Sequence, residues 1–331
     1  MSDFKGFSAA GISDLATSAR EAERALRART PPSPLTYSPA LSQLYGCDVL
    51  LKCEHLLPTG SFKFRGGYTK LTRLSEDDRR RGVVAASTGN HGQALALAGR
   101  ELGIAVTVHA PVGASPAKLD AMRAYGATLV LHEGDPLASE LAARAASERD
   151  GLTYVSPYND PDVIAGQGSL AVELLGQAER LDAVVLSVGG GGLLCGVGAV
   201  LADQRPTTEL IAAWPANAVS LLRSMRAGHA VEVDERPTIS DATAGGVEPG
   251  AITIGLAAAL APTCVEVSED RIVEGMRRLA EHEHWMVEGA AGLALAGVEA
   301  CGPRLAGRTV AVVVCGRNIQ FQRFLDAVAP R

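Results

Sequence analysis

Twice in this chain a short β-branched run passes straight into a knot of glycine, serine or asparagine and from there into a helical period. Residues 83–86 lead into Ser87-Thr88-Gly89-Asn90-His91-Gly92-Gln93, and residues 183–188 lead into Gly189-Gly190-Gly191-Gly192-Leu193. A strand that turns directly into a helix needs a crossover back to a parallel neighbour, which points to βαβ units. The rest of the chain repeats the pattern. Strands are expected at 48–52, 83–86, 104–109, 128–131, 183–188, 210–213 and 310–314. Helices are expected at 93–102, 116–125, 138–149, 162–175, 193–203, 219–226, 269–282 and 290–299. The wholly apolar run 310–314 suits a strand covered on both faces. The stretch 234–251, rich in Pro, Gly, Thr and acids, reads as a long loop of the kind that borders a site. The fold class is therefore α/β with a mainly parallel sheet.

Composition narrows the function. The 331 residues carry 31 basic and 37 acidic side chains, a net charge of −6, and no basic block, so neither nucleic acid nor an anionic membrane is an expected partner. A small-molecule ligand is. The first fifteen residues hold Asp3, Lys5 and Asp14 and no apolar leader, no run reaches the length of a membrane span, and the chain ends soon after its last strand; a cytoplasmic protein without an appended regulatory domain is expected. Cys47, Cys53, Cys195, Cys264, Cys301 and Cys315 are scattered, without paired ligand spacing, which fits reduced thiols better than disulfides or zinc. No G-x-S-x-G elbow is present, and Glu281-His282-Glu283-His284 lacks the H-E-x-x-H spacing of a metalloprotease and reads as the polar face of a helix.

Four clusters can carry chemistry. The first is Thr59-Gly60-Ser61-Phe62-Lys63-Phe64-Arg65-Gly66-Gly67. Only five lysines occur, at 5, 52, 63, 70 and 118, so an amine beside glycines and aromatics invites a role that guanidinium cannot fill, a Schiff base; an exposed lysine at a helix start is the alternative. The second, Ser87 to Gln93, offers unpaired N–H groups and hydroxyls to an anion at a helix start, with a carboxylate as the natural fit and an ordinary N-cap as the alternative. The third, Gly189 to Gly192, lets several backbone N–H groups converge on a phosphate; a strict G-x-G-x-x-G fails because residues 194 and 195 are Leu and Cys, and no G-K-[ST] exists, so dinucleotide and P-loop readings lose ground. The fourth, Cys315-Gly316-Arg317-Asn318, closes the strand 310–314, where open α/β sheets place ligand contacts; Cys315 is either a small core hydrophobe or a weak hydrogen-bond partner for a ligand nitrogen.

In this order the four motifs resemble those of the pyridoxal-phosphate enzymes of the threonine/serine dehydratase group, with the tryptophan synthase β-like fold (fold type II), over about residues 35 to 320. The resemblance implies two open, twisted, mainly parallel sheets flanked by helices. It further implies a large cofactor-binding domain of residues 1–81 and 158–331 and a small domain, 82–157, carrying the loop for the substrate carboxylate. It places the Schiff-base lysine at Lys63 and a ring-packing phenylalanine at Phe62. The substrate loop falls on Ser87, Thr88, Gly89, Asn90 and His91, with Asn90 also on the ring hydroxyl. The phosphate loop falls on Gly189, Gly190, Gly191, Gly192 and Leu193, and the group facing the pyridine nitrogen on Cys315. A thiol there cannot hold that nitrogen protonated as a carboxylate would, so the electron sink is moderate and loss of a β-leaving group is favoured. The implied reaction is dehydration and deamination of a β-hydroxy amino acid to a 2-oxo acid and ammonia, by a homodimer or higher oligomer.

The departures from the family pattern are specific. Related racemases bind a divalent cation with a Glu and an Asp that fall here on Trp214 and Ser220, so no metal is expected. Thr88 stands where racemases carry a catalytic serine. Gly316-Arg317-Asn318 replaces Gly-Gly-Asn, and the acidic residue usual before a glycine in the long loop is replaced within Ala244-Gly245-Gly246-Val247-Glu248. These features look more like the hydroxyectoine-utilisation and phenylserine dehydratase branches than like ordinary threonine dehydratase. An amino-acid racemase or a β-replacement enzyme of the same fold is the runner-up; a nicotinamide oxidoreductase and a non-catalytic binding protein are the readings from other classes.

Overall fold

The computed structural model describes residues 9–134 and 136–329, so the reading of residues 1–8 lies outside the described residues. The chain opens with α1 (Ala9–Arg27), β1 (Leu35–Tyr37), α2 (Pro39–Tyr45), β2 (Asp48–Lys52), α3 (Lys63–Thr72) and α4 (Glu76–Arg81). There follow β3 (Val83–Ala86), α5 (Asn90–Leu102), β4 (Val106–Pro111), α6 (Pro116–Ala124), β5 (Thr128–His132), α7 (Pro136–Asp150) and β6 (Thr153–Tyr154). The second half runs α8 (Pro161–Gln177), β7 (Ala183–Ser187), α9 (Gly192–Gln204), β8 (Glu209–Pro215), α10 (Ser220–Ala227), α11 (Ile252–Leu260), β9 (Thr263–Val267), α12 (Glu269–Glu283), α13 (Gly289–Cys301), β10 (Thr309–Val313) and α14 (Phe321–Val328).

Two sheets form. One has six strands in the order β1-β2-β10-β7-β8-β9, the other four in the order β5-β4-β3-β6. Among the strands of the described residues, β1 pairs antiparallel along β2 and the other strand pairings are parallel. Because β10 lies between β2 and β7, its carboxyl end and that of β7 open side by side, which is where an open α/β sheet receives a ligand. Cys315 follows the first and the tetraglycine turn follows the second. The expected strands are all present, 48–52 and 83–86 with the expected ends and the others with ends shifted by one or two residues; the one expected from 104 starts at Val106 and runs to Pro111, since Thr107 to Pro111 pair with Thr128 to His132. The strands β1, β6 and β9 and the helices α1, α2, α3, α4, α11 and α14 add to the expected set.

Each sheet has its own core, and the lysine motif lies on the seam between them. Phe62 packs against the core of the six-stranded sheet, built around Val184, Val185, Ala311 and Val312. Phe64 is wholly buried in the second core with Leu71, Val83, Leu95 and Val108. The two aromatic neighbours of Lys63 thus anchor it to different layers. Helix α3 is drawn onto α8 at a glycine pair: a Cβ on Gly166 would lie 2.6 Å from the Cα of Gly66, so neither position admits a side chain. Below that contact Arg65 is buried between Glu54 (Nε to Oε2, 2.6 Å) and Glu173 (NH2 to Oε2, 2.7 Å), and Lys52 also reaches Glu173 at 2.7 Å. Two cations and two carboxylates, each fully paired, fix the helix whose first residue is Lys63.

Candidate active site

The segment that delivers Lys63 is stitched to the end of β10. Phe62 N donates to the Cys315 carbonyl at 3.0 Å and Arg317 N to the Gly60 carbonyl at 2.9 Å, around a bridge between Ser61 and Gly316. Gly60 makes this turn with φ +74°, and a Cβ there would strike Asn318 Oδ1 at 2.7 Å. The Lys63 amine donates to the Pro157 carbonyl at 2.8 Å and lies 5.2 Å from the centre of the Phe62 ring. Burial pulls its pKa down to about 8, against the opposing influence of Glu288. Cys315 is buried; the Ser187 hydroxyl donates to its sulfur at 3.6 Å, and burial pushes the thiol pKa well up, so it is neutral.

The tetraglycine turn joins β7 to α9. Gly191 is left-handed at φ +93°, and a Cβ on it would lie 2.6 Å from Leu221. At Gly190 a Cβ would enter the Tyr158 ring at 2.4 Å, and at Gly189 it would meet the Thr243 backbone at 2.9 Å. The turn is walled on every side, and at its centre the first N–H groups of α9 have no acceptor within the helix. A helix N-terminus whose lining is backbone alone suits a phosphate. Leu193 is buried in the first turn of that helix and packs in the large core.

The Ser87 turn is built differently. Ser87 Oγ accepts from Gly89 N at 3.1 Å and Gly92 N at 3.0 Å, so its oxygen caps α5 while its proton stays available. The N–H groups of Asn90 and His91, in the first turn, keep no helical acceptor. Thr88 is exposed at the tip and Gly89 buried, with Lys118 beside it. His91 donates from Nε2 to the Val155 carbonyl at 2.9 Å; a carbonyl only accepts, so Nδ1 is an unprotonated, buried acceptor, and burial beside Lys63 lowers its pKa to about 3.

The structure thus brings Lys63, Phe62, Asn90, Cys315 and both turns to one cleft between the sheets. Sequence reasoning missed Glu288. This carboxylate is 3% exposed at the start of α13, accepts from Asn90 Nδ2 on both oxygens at 3.0 Å, and lies 3.9 Å from the Cys315 thiol. Burial raises its pKa, and the Asn90 amide opposes the rise. A readable signal existed: Glu288 is the acid directly ahead of Gly289-Ala290-Ala291-Gly292-Leu293-Ala294-Leu295-Ala296-Gly297, a helix with no polar face. Pro157 and Tyr158 were missed as well. In the long loop expected at 234–251 to border a site, Asp241 pairs with Lys118 at 3.3 Å and Glu248 pairs with Arg144; Asp241 lies three residues ahead of the Ala244 to Glu248 segment compared with the family pattern. The two positions weighed for a cation hold Trp214, fully buried, and Ser220, whose hydroxyl and N–H both donate to Glu235.

Residues 27–316 match the family described as "Pyridoxal-phosphate dependent enzyme". The chain is 38% identical over 302 residues to the L-threonine ammonia-lyase of Thermotoga maritima, covering 91% of this chain and 74% of that protein. It is 31% identical over 292 residues to the serine racemase of Schizosaccharomyces pombe, covering 88% and 90%. Among solved structures, the processed form of threonine deaminase isoform 2 from Solanum lycopersicum superposes with a TM-score of 0.90 at 29% identity, covering 96% and 94%. By sequence, by sheet order and by the cleft at the ends of β7 and β10, the chain belongs to the pyridoxal-phosphate dependent enzymes of fold type II, in the threonine dehydratase and serine racemase family.

Proposed function

We propose that this chain is a pyridoxal-phosphate dependent ammonia-lyase that removes the β-hydroxyl and the amino group of a hydroxy amino acid, releasing a 2-oxo acid and ammonia. The observation that carries the proposal is the Lys63 amine: partly buried, with its pKa drawn down to about 8, at the seam where a backbone-lined phosphate turn and an anion-binding helix start converge. Bound pyridoxal phosphate supplies the electron sink for the charge left at the substrate α-carbon. In this reading the N–H groups of Gly189 to Gly192 and Leu193 hold the phosphate, Phe62 packs on the ring, and Asn90 meets the ring hydroxyl. Cys315, a neutral thiol, would face the ring nitrogen and would leave it uncharged. Ser87, Thr88, Gly89, Asn90 and His91 receive the substrate carboxylate through a hydroxyl and helix-start N–H groups. Lys63 would hold the cofactor, and its amine would take the α-proton of the substrate; an amine of lowered pKa is suited to that transfer near neutral pH.

The finer reading is the hydroxyectoine-utilisation or phenylserine dehydratase branch, supported by Thr88, Arg317 and the segment Ala244-Gly245-Gly246-Val247-Glu248. The small domain is assigned to residues 82–157, supported by a four-stranded sheet whose strands run from Val83 to Tyr154. Assembly as a homodimer or larger is supported by Tyr37, Leu44 and Leu56, large apolar side chains about half exposed. A cytoplasmic location is supported by six free thiols, and among the described residues no helix is long and apolar enough to cross a membrane. The test is a panel of β-hydroxy amino acids, including threonine, serine and 3-phenylserine, with 2-oxo acid and ammonia both quantified. Equimolar release from one or more is expected. Inversion of the α-carbon without release of either product would overturn the lyase reading in favour of a racemase.

A further inference from the structure

Three side chains form a chain of hydrogen bonds whose direction is fixed by its far end. Asn318 Nδ2 donates to the Thr59 carbonyl at 2.8 Å and to Asn90 Oδ1 at 2.7 Å. A carbonyl only accepts, so the Asn318 atom between them is the nitrogen; the Asn90 atom it meets is then the oxygen, and the Asn90 nitrogen faces Glu288. Flipping Asn90 would set nitrogen against nitrogen at Asn318 and oxygen against two carboxylate oxygens at Glu288. The cavity is shaped for that carboxylate, since a Cβ on Gly316 would lie 2.4 Å from its Oε1. Glu288 is also the N-cap residue of α13 yet makes no side-chain cap, its oxygens being turned to Asn90 instead.

We propose that Glu288 is a positioning residue that acts through Asn90, locking the amide so that it meets the cofactor's ring hydroxyl only as a donor and thereby holds that oxygen ionised. The inference rests on the assignment of Asn90 to the ring hydroxyl made above. With its carbonyl taken by Asn318, the amide has only N–H to offer, and a donor favours the charged form of the group it meets. The charged or titratable groups facing Glu288 are Lys63 from the lysine motif, Cys315 from the segment after β10, Lys118 from α6, and Asp241 from the long loop. Burial raises the Glu288 pKa, so the lock weakens as the carboxylate takes a proton on the acid side.

The test reads the absorption spectrum of the resting holoenzyme against pH, without substrate, with cofactor content measured after alkaline release. The wild-type protein is expected to show the visible band of a lysine-bound cofactor with an ionised ring oxygen. Glu288→Gln, which places an amide nitrogen against Asn90 Nδ2, is expected to keep full cofactor, move intensity to the near-ultraviolet, and raise the midpoint of the transition by about one pH unit. Asn318→Ala, which frees the other end of Asn90, is expected to shift the spectrum in the same direction and carries the test if the glutamate variant does not fold. In an Asn90→Ala background Glu288→Gln should change nothing further. Unaltered spectra in both single variants at full cofactor content would overturn the proposal, as would a Glu288 effect that persists without Asn90. A wild-type protein with bound cofactor and no visible band would overturn the Lys63 assignment and this inference with it.

Discussion

The turns after β7 and β3 begin alike, as a strand feeding a helix, and solve opposite problems. Around Gly189, Gly190 and Gly191 the neighbours Thr243, Tyr158 and Leu221 close in until no Cβ fits, and at Gly192 a Cβ would press on Tyr158, so the turn presents backbone and nothing else. Around Ser87 to His91 the turn keeps its side chains: Ser87 caps, His91 is tied to Val155, and Asn90 reaches across the cleft to Glu288 and Asn318. The first belongs to the large sheet and is fixed by packing. The second belongs to the small sheet and is tied to the large one by side-chain hydrogen bonds. The proposed roles fit this difference: a phosphate held through every catalytic cycle would need only a rigid ring of N–H donors, whereas a substrate that enters and leaves would need contacts that link recognition to the reacting atoms.

Lys63 lies between the turns, and removing it should abolish the reaction while leaving both intact. Lys63→Ala is expected to lower turnover by at least about 10³-fold, within the range a positioned proton-transfer group supplies, and to lose the visible band. Phe62 and Phe64 keep their separate cores in this variant, so the melting temperature should hold. Mass spectrometry of borohydride-reduced wild-type protein should find the cofactor on Lys63; an adduct on Lys52, Lys70 or Lys118 would break the assignment.

The next pair of variants tests the contrast itself. Gly191→Val forces a β-branched residue to φ +93° against Leu221, a strain of about 1–3 kcal/mol, and should weaken cofactor binding roughly ten- to hundredfold while substrate KM at saturating cofactor is preserved. Ser87→Ala removes a cap from two N–H groups, a loss of about 0.5–2 kcal/mol, and should raise substrate KM some two- to thirtyfold with cofactor affinity unchanged. Equilibrium dialysis for the cofactor and initial rates for the substrate separate the two. If both variants fail in the same parameter, the division of labour between the turns is wrong.

A smaller effect distinguishes the lysine from an ordinary one. With its pKa near 8 rather than 10.5, about one-tenth of Lys63 is neutral at pH 7, and only a neutral amine captures an aldehyde. The rate at which cofactor-free protein takes up pyridoxal phosphate should therefore rise with pH and level off just above pH 8. The sign for stability follows from the same shift. The unfolded chain keeps the lysine proton up to about 10.5 and the folded one gives it up near 8, so the cofactor-free protein should gain stability as pH rises between those values. Stopped-flow absorbance and thermal melts at graded pH measure both; an uptake rate still climbing steeply beyond pH 9 would mean the amine is not desolvated.

What was legible in the sequence was what is local along the chain. The tetraglycine, Ser87 and lysine motifs each lie within nine residues, and α/β alternation shows in short apolar runs, so α5, α9, β2 and β3 were found with little error. Glu288 lies 225 positions beyond Lys63, and only folding brings β10 and α13 against it. Helix α1 escaped because its buried side is mostly alanine, Ala16, Ala19 and Ala22, which gives a weak apolar contrast with the arginines and glutamates around it. The strands β1 and β6 are three and two residues long, below the length at which alternation can be read. β9 is an edge strand, most of its side chains only partly buried, and it draws its identity from β8.

The smallest expected effect sharpens the comparison from outside both turns. Near the tetraglycine turn, the two positions where related racemases place acidic cation ligands hold an indole and a hydroxyl, and neither is vacant for a metal. Trp214 fills its place in the core of the large sheet, and Ser220 gives its hydroxyl and N–H to Glu235, whose other oxygen accepts from Gly245 N at 2.8 Å. Glu235 is thus already committed to holding the long loop against α10, and Glu266, the strand partner of Trp214, pairs with Arg223. Magnesium and calcium need several oxygens and a surplus of negative charge, and these carboxylates are already engaged by protein donors. Among the described residues no group of three His, Cys, Asp or Glu side chains could hold a metal ion. Protein stripped with EDTA and exchanged into metal-free buffer should turn over at its original rate, and added magnesium should change neither rate nor melting temperature. A large loss that magnesium alone restores would show that loop and tetraglycine turn are held by a cation after all, and the rigid half of the comparison would then owe its rigidity to an ion rather than to packing.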